Sequence, residues 1–223
     1  MRNLLGGESQ NLGFDEDKGE FIMAQKKPRV LVIGGTRGIG KEVVDHFGGD
    51  SISRNEPRDE GFDIRNPVDR KKIAYISDEY DICINHAYSD SDEEPIGGSQ
   101  AFMLKEIYDR WKETNWSGYL FNSSSDATKI YRMKSGKNMM YSAMKASVNV
   151  VSHYISRDVQ EGNVRMRYTN IIWGMLDTEK SRSKPHYNNG VRGEDICKVI
   201  ETLYYLPEDC LIPEFVMEAR FLK

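Results

Sequence analysis

Tyr141 and Lys145 are the two residues whose types and spacing best fit chemistry. They are four residues apart, so on a helix both side chains lie on one face. A lysine ammonium beside a phenol favours the tyrosinate and lowers the tyrosine pKa from about 10. Such a phenol can exchange a proton with a carbonyl oxygen near neutral pH. Tyr108 and Lys112 have the same spacing, and a pair of this kind taken alone is more often a solvated helix face.

Position along the chain separates the two pairs. Tyr141 follows a predicted strand, 118–122, that runs into three serines. The predicted helix of Tyr141 begins with small residues, Ser142 and Ala143, which leave room for a cofactor. Tyr108 comes before that strand, among aromatic residues typical of a core. We therefore expect the acid–base chemistry at Tyr141.

A glycine-rich loop near the start of the chain predicts a bound nucleotide. Val30 to Ile33 is typical of a strand buried on both faces of a parallel sheet, and 41–47 has helical periodicity. The segment Gly34-Gly35-Thr36-Arg37-Gly38-Ile39-Gly40, here called the glycine loop, lies between them. Free backbone N–H groups and the positive end of a helix meet there, where a pyrophosphate can bind. An ordinary glycine turn is the alternative, but the strand before and the helix after favour nucleotide binding.

The remainder of the chain alternates predicted strands with predicted helices. The strands are expected at 51–55, 61–64, 80–85, 118–122, 165–172 and 215–218, and the helices at 66–77, 102–111, 141–157 and 194–205. This alternation predicts an α/β, Rossmann-type doubly wound parallel β-sheet flanked by helices. We expect a disordered N-terminal extension over residues 1–24, followed by a single domain over 25–223, with Met23 as a natural first residue.

Composition excludes several classes of protein. The 223 residues carry 31 Lys and Arg against 35 Asp and Glu, a net charge of −4, so no basic face predicts a nucleic-acid partner. No apolar run is long enough to cross a membrane. The three cysteines are far apart and odd in number, which indicates reduced thiols and a cytoplasmic location. The four histidines have no zinc spacing, so no metal is expected.

Taken together, these motifs resemble the short-chain dehydrogenase/reductase family. The resemblance runs from about Arg29 to the C-terminus and combines the glycine loop, Asn85-His86-Ala87, Ser125 and Tyr141-Ser142-Ala143-Met144-Lys145. It implies that Tyr141 is the general acid/base and that Lys145 holds the nicotinamide ribose and lowers the tyrosine pKa. It also implies that a serine at the strand end, Ser125 or alternatively Ser124, hydrogen-bonds the substrate oxygen.

The same resemblance implies a cofactor site, with residues from most of the predicted strand ends. Its implied members are Gly34, Thr36, Arg37, Gly38, Ile39, Gly40, Arg54, Asp63, Ile64, Asn85, His86, Ala87, Tyr141, Lys145 and Thr178.

The sequence departs from the family pattern in four places. Tyr88 replaces a glycine, and Trp173 replaces a proline, either as a wall of the substrate pocket or as a core aromatic. The family's helix asparagine has no match within 102–111. The segment between the serines and Tyr141 carries four basic residues and fits a solvated loop better than a contact with an anionic substrate. These basic residues are Lys129, Arg132, Lys134 and Lys137.

The end of the second strand of this domain decides the expected cofactor. An acidic residue there holds a ribose 2′-hydroxyl, whereas an arginine accommodates a 2′-phosphate. The strand ends in Ser53-Arg54-Asn55, with no acid before Glu56, and Arg37 adds a second positive charge. NADP(H) is therefore favoured over NAD(H), and Asp63-Ile64 resembles the family's adenine-contacting pair.

These residues predict an NADP(H)-dependent oxidoreductase that interconverts a carbonyl and an alcohol on a small-molecule substrate. A non-catalytic NADP(H)-binding module or sensor is the alternative. A sugar-nucleotide epimerase or dehydratase ranks lower, because only about forty-five residues follow Thr178. The segment 179–192 is expected to cover the site as a short polar lid.

Family habit implies a homodimer or homotetramer built through the helices that precede and follow the serine strand. Phe102, Trp111, Val151 and Ile155 are apolar residues on those predicted helices. Closed symmetry is the usual arrangement for such assemblies.

Overall fold

The strands lie where short, mostly apolar runs occur in the sequence. The structure is a computed structural model that describes residues 12–15, 20–23, 27–54, 61–87, 98–128, 136–183 and 189–219. Its strands are β1 (Leu12–Asp15), β2 (Glu20–Met23), β3 (Val30–Ile33), β4 (Asp50–Ile52), β5 (Ile82–Asn85), β6 (Tyr119–Ser125), β7 (Arg167–Trp173) and β8 (Glu214–Met217). Strands β3 to β8 form one sheet in the order β4-β3-β5-β6-β7-β8, and all neighbours are parallel.

Helices connect the parallel strands and cover both faces of the sheet. They are α1 (Gly38–Phe47), α2 (Pro67–Ser77), α3 (Ser99–Thr114), α4 (Gly136–Gln160), α5 (Glu179–Arg182) and α6 (Gly193–Tyr204), with a 3-10 turn at Asp126–Thr128. One hydrophobic core lies between the sheet and α2, α3 and α4, and a second lies between the sheet and α1 and α6. The predicted Rossmann-type, doubly wound fold is therefore confirmed.

Successive residues of β6 face opposite layers of the molecule. Leu120 lies in the core beneath α2, α3 and α4, whereas Tyr119 and Phe121 lie in the core beneath α1 and α6. This alternation is the ordinary period of a strand. It assigns the serines at the end of β6 to different faces of the sheet.

Helix α2 begins as the sequence predicts. The Asn66 side chain accepts a hydrogen bond from the Val68 backbone N–H (2.9 Å), and Pro67 occupies the first helical position. Asparagine offers the capping oxygen, and proline lacks an N–H group that would have no partner there.

The strand expected at 61–64 is wrong: this segment is irregular, and the sheet ends at β4. The reason is that helix α2 takes up the backbone groups of the segment. Asp63 N–H donates to the Asp69 carboxylate (3.1 Å), and the buried Arg70 guanidinium donates to the Ile64 carbonyl (2.9 Å). Groups bonded in this way are not available to a further strand.

Two further elements were not expected from the sequence. β1 and β2 form an antiparallel hairpin within the first 24 residues, and this hairpin is a sheet of its own. The one-turn helix α5 lies within the predicted lid. The division into an extension over 1–24 and a domain over 25–223 stays a prediction. None of the helices in the described ranges is long and apolar enough to span a bilayer.

Candidate active site

The glycine loop packs directly against the end of β5. Gly34 has a φ of 93°, and a Cβ atom at this position would lie 2.7 Å from the Cα atom of Ala87. A Cβ atom on Gly40 would collide with the Gly34 carbonyl oxygen, so the first turn of α1 packs on the loop itself. Only glycine fits at these two positions, and the loop leads into the start of a helix, where anions bind readily.

A cleft of about 260 Å³, here called the main cleft, opens beyond the carboxyl ends of β3, β4 and β5. Eight of the residues predicted to bind a cofactor line it. The lining consists of Gly34, Thr36, Arg37, Ile52, Ser53, Arg54, Phe62, Asp63, Ile64, His86 and Ala87. Ligands of open α/β sheets bind at this edge, so the main cleft is where the fold itself predicts a nucleotide.

The outer end of the main cleft has a positive rim. Arg37 and Arg54 are exposed there. The Asp63 carboxylate forms an ion pair with Arg65 (2.6 Å), and this hydrogen-bonded guanidinium holds the pKa of Asp63 below its usual range. Because Arg65 offsets the charge of Asp63, the two exposed guanidinium groups dominate the rim.

Lys145 is buried and faces Tyr141 on helix α4. Lys145 is 5% exposed, and its Nζ atom lies 5.9 Å from the centroid of the half-buried Tyr141 ring. Nζ is also 3.4 Å from the Ser123 carbonyl, which puts the pair beside the carboxyl end of β6. Burial lowers the pKa of Lys145 to about 7. Tyr141 and Lys145 therefore share one face of α4, as their spacing predicts, and the lysine is desolvated.

Gln100 holds the lysine, and sequence reasoning missed it. Its Oε1 atom accepts from Lys145 Nζ (2.6 Å), while its Nε2 atom donates to the carbonyl oxygens of Asn85 (3.1 Å) and Ser123 (2.7 Å). Gln100 is 3% exposed. It lies on the first turn of α3, two residues before the predicted helix. The available signal was a polar residue on the apolar stripe continued by Met103.

The structure distinguishes the serines at the end of β6. Ser124 is 3% exposed, and its hydroxyl donates to the Asn149 side chain on α4 (2.6 Å). Ser125 points to the other face and is half-buried, with its Oγ atom accepting from the Ala127 backbone N–H (3.2 Å). The Ser124 hydroxyl is thus buried between the sheet and α4, whereas Ser125 remains partly exposed and can be reached by a ligand.

Thr178 lies beside the glycine loop. A Cβ atom on Gly38 would lie 3.9 Å from Thr178 Cγ2. The Thr178 side chain also caps α5, where its Oγ1 atom accepts from the Ser181 backbone N–H (3.2 Å). The other two predicted cofactor residues, Asn85 and Ile39, are 0% and 3% exposed, so they support the strand end and the loop from beneath.

The second tyrosine–lysine pair joins two helices away from the main cleft. Lys112 donates to the Tyr108 hydroxyl (3.0 Å) and to Asp158 on α4 (2.6 Å). Burial, with a hydrogen bond to Asp158, raises the pKa of Tyr108. A phenol whose pKa is raised is a poor acid or base near neutral pH.

Two of the departures from the family pattern can be placed, and two cannot. Trp173 is 3% exposed and packs in the core beneath α1 and α6, so it is a core aromatic. The second is the helix asparagine that has no match in the sequence: the side chain of α3 that contacts Lys145 is Gln100. Tyr88 and the side chains of the basic segment 129–137 lie outside the described residues, as do residues 184–188 of the predicted lid.

Comparison with known proteins identifies the fold. No protein-family model and no curated protein matches the sequence. A short-chain dehydrogenase from Burkholderia cenocepacia J2315 in complex with NADP is similar with a TM-score of 0.65 at 18% identity, covering 87% of this chain and 89% of its own. Serine dehydrogenase from Escherichia coli gives 0.63 at 20% identity, with coverages of 84% and 96%.

A third solved structure extends the range of cofactors in this group. The 3-alpha-hydroxysteroid dehydrogenase from Pseudomonas sp. B-0831, complexed with NADH, gives a TM-score of 0.62 at 15% identity, with coverages of 85% and 94%. At these identities the likeness shows a shared fold, which is that of the short-chain dehydrogenases.

Proposed function

We propose that this chain, which has the fold of the short-chain dehydrogenases, is an NADP(H)-dependent oxidoreductase that interconverts a carbonyl and an alcohol on a small molecule. The observation that carries the proposal is the buried Lys145, whose Nζ atom faces the Tyr141 ring beside the end of β6. A desolvated lysine next to a tyrosine is costly for stability, and such groups are concentrated at functional sites.

The main cleft fits a dinucleotide. The glycine loop brings backbone N–H groups and the start of α1 to its floor, and a Cβ atom at Gly34 would collide with Ala87. Arg37 and Arg54 offer guanidinium groups to a ribose 2′-phosphate, which they match in charge and geometry. When bound, the nicotinamide supplies or accepts the hydride.

The protein's own residues handle the proton. The Tyr141 hydroxyl gives a proton to the substrate oxygen in reduction and takes it back in oxidation. Ser125 orients that oxygen, a role supported by its accessibility and by the engagement of Ser124 with Asn149. Lys145 lowers the pKa of the phenol while its ammonium is charged. Gln100 holds Lys145 in place through its Oε1 atom.

The choice of NADP(H) rests on this chain's own residues. One similar structure contains NADP and another NADH, so the fold is compatible with both. Ser53 and Arg54 follow β4, where a preference for NAD(H) would call for an acid. We further infer a cytoplasmic location, supported by three free cysteines, Cys83, Cys197 and Cys210. We also infer a homo-oligomer.

Oxidation of NADPH with a panel of ketones and aldehydes tests the proposal. We expect turnover with at least one carbonyl class and loss of turnover in Tyr141→Phe. Binding of NADPH with no turnover across the panel would instead support the non-catalytic binding module. Absence of any binding of NADPH or NADH would contradict both functions.

A further inference from the structure

Three side chains form a hydrogen-bonded chain across the carboxyl ends of β7, β6 and β5. Trp173 Nε1 donates to Ser123 Oγ (2.8 Å), and Ser123 Oγ lies 2.8 Å from His86 Nδ1. Trp173 and Ser123 are 3% and 5% exposed. The proposed proton transfer uses none of these side chains. One of them, Trp173, is a position where the sequence departs from the family pattern.

The direction of this chain follows from hydrogen-bond accounting. The indole N–H can only donate, so Ser123 Oγ accepts from it. A proton on His86 Nδ1 would make the serine oxygen accept a second bond and leave its own O–H buried with no acceptor in the described part of the chain. Such a loss costs more than the bond gains. The favoured arrangement therefore has Ser123 donating to an unprotonated Nδ1.

His86 is half-buried, lines the main cleft and has a second ring nitrogen, Nε2. With Nδ1 unprotonated, a neutral imidazole carries its hydrogen on Nε2. Nε2 has no hydrogen-bond partner among the described residues, and His86 lines the main cleft next to Gly34 and Ala87. Desolvation, together with the nearby charge of Lys145, lowers the pKa of His86 to about 4, so the ring is neutral at physiological pH.

We propose that Trp173 and Ser123 are positioning residues of the dinucleotide site, which fix the ring and the tautomer of the cofactor-binding His86 so that its Nε2–H donates to an oxygen atom of the bound cofactor. The inference rests on the proposed function. A neutral donor of fixed direction recognises a hydroxyl, carboxamide or phosphate oxygen without adding a charge to the site. Because the ring is already held before binding, little entropy is lost when the bond forms.

The tautomer can be measured without cofactor or turnover. We expect nitrogen-15 spectra of the histidine side chains at neutral pH to show His86 protonated on Nε2 only, with the signal assigned by its loss in His86→Gln. Ser123→Ala should produce a mixture of tautomers. A wild-type His86 that is protonated on Nδ1, or that already exchanges between tautomers, would overturn the inference.

Cofactor affinity provides a second test of the inference. We expect His86→Phe, which keeps a ring but has no N–H group, to weaken NADPH binding roughly three- to tenfold, the scale of one neutral hydrogen bond. Ser123→Ala and Trp173→Phe should weaken it in the same direction and by less. The measurement is NADPH fluorescence on the full chain.

The chain contains a matched control for the affinity measurement. Trp111 Nε1 donates to Ser77 Oγ at the same 2.8 Å, and Trp111 is 1% exposed on α3, away from the main cleft. Trp111→Phe and Ser77→Ala should reduce stability and leave the NADPH Kd unchanged. Unchanged NADPH affinity in His86→Phe would overturn the inference and leave the proposed function standing. Absence of NADPH and NADH binding by the wild type would overturn both.

Discussion

A substitution of Tyr141 tests whether this chain is an enzyme or a non-catalytic binding module. We expect Tyr141→Phe to lower turnover by about a hundredfold or more, because it removes the proton donor and keeps the ring. The NADPH Kd should change little. Steady-state kinetics and fluorescence titration measure the two quantities.

Tyr108→Phe is the matched control for this change. It removes the same hydroxyl from the other tyrosine–lysine pair, which links α3 to α4 through Asp158. Turnover should be nearly unchanged in Tyr108→Phe. Wild-type turnover in Tyr141→Phe, or its loss in Tyr108→Phe, would mean that the proposed site is misplaced.

Lys145 makes the stability of the apo protein depend on pH in a known direction. Its pKa is about 7 when folded, against an ordinary value of 10.5. Between these values the unfolded chain binds a proton that the folded protein does not. Stability therefore rises with pH from about 7 to about 10.5, and the penalty of burying the charged lysine is fully present below pH 7.

Lys145→Met removes this titration while it keeps most of the side-chain volume. We expect the difference in free energy of unfolding between Lys145→Met and wild type to shrink as pH rises from 7 to 10, measured by urea unfolding. A difference that stays constant over this range would show that Lys145 keeps its ordinary pKa in the folded protein.

At the scale of elements, the glycine loop and the end of β4 together form the rim that we expect to distinguish NADP(H) from NAD(H). A hydrogen bond between Thr36 and Ser53 joins them (3.0 Å), and each contributes one exposed arginine, Arg37 and Arg54. The missing strand at 61–64 leaves an irregular segment as the opposite wall, held by Arg70. We therefore expect cofactor preference to depend on the glycine loop, the end of β4 and the irregular segment 61–64.

Arg54→Asp tests this rim. We expect NADPH affinity to fall roughly ten- to a hundredfold through loss of a charged hydrogen bond, and NADH affinity to rise because an acid there can hold the ribose 2′-hydroxyl. Fluorescence titration with both cofactors measures the shift. Arg165→Asp makes the same charge change on an exposed residue that precedes β7, at the other end of the strands, and should alter neither affinity. A wild-type preference for NADH would contradict the assignment.

At the scale of the whole molecule, the β1–β2 hairpin and the six-stranded sheet are separate sheets. We expect deletion of residues 1–22 to change the melting temperature by less than about 2 °C, because the sheet does not use those strands for pairing. The NADPH Kd should also be unchanged. A loss of several degrees would show that the hairpin packs on the domain.

The outer face of α4 is the surface on which we expect a second copy to pack. Trp111 on α3 and Ile155 on α4, two of the apolar residues expected in the oligomer interface, are each 1% exposed and belong to the core. Met139, Val150 and Tyr154 are instead 58% to 74% exposed, and their spacing puts them on one face of α4. An exposed apolar stripe of this kind favours self-association.

Light scattering tests the oligomer. We expect a dimer or tetramer mass at micromolar concentration for the wild type, and a smaller mass for Tyr154→Glu. Val68→Glu adds the same charge at a 60% exposed apolar position on α2 and should leave the mass unchanged. A monomer mass for the wild type would contradict the prediction.

Local sequence was sufficient for the elements and for the pairs within them. Strands β3, β5 and β6, the capped start of α2 at Asn66, and the shared face of Tyr141 and Lys145 depend on residues close together in the chain. Apolar periodicity and cap chemistry report such neighbours directly. The segment 61–64 was misread because its brief strand-like pattern contains no sign of the contacts that α2 makes with it.

Only the tertiary structure decided which distant residues meet. Gln100 reaches Lys145 across 45 positions, and Trp173 and His86 reach Ser123 across 50 and 37 positions. The different environments of Ser124 and Ser125 likewise depend on a distant residue, Asn149 of α4, which binds Ser124. Periodicity assigns a side chain to a face of its own element, but it carries no information about the partner on another strand. That partner follows from the order and register of the strands in the sheet.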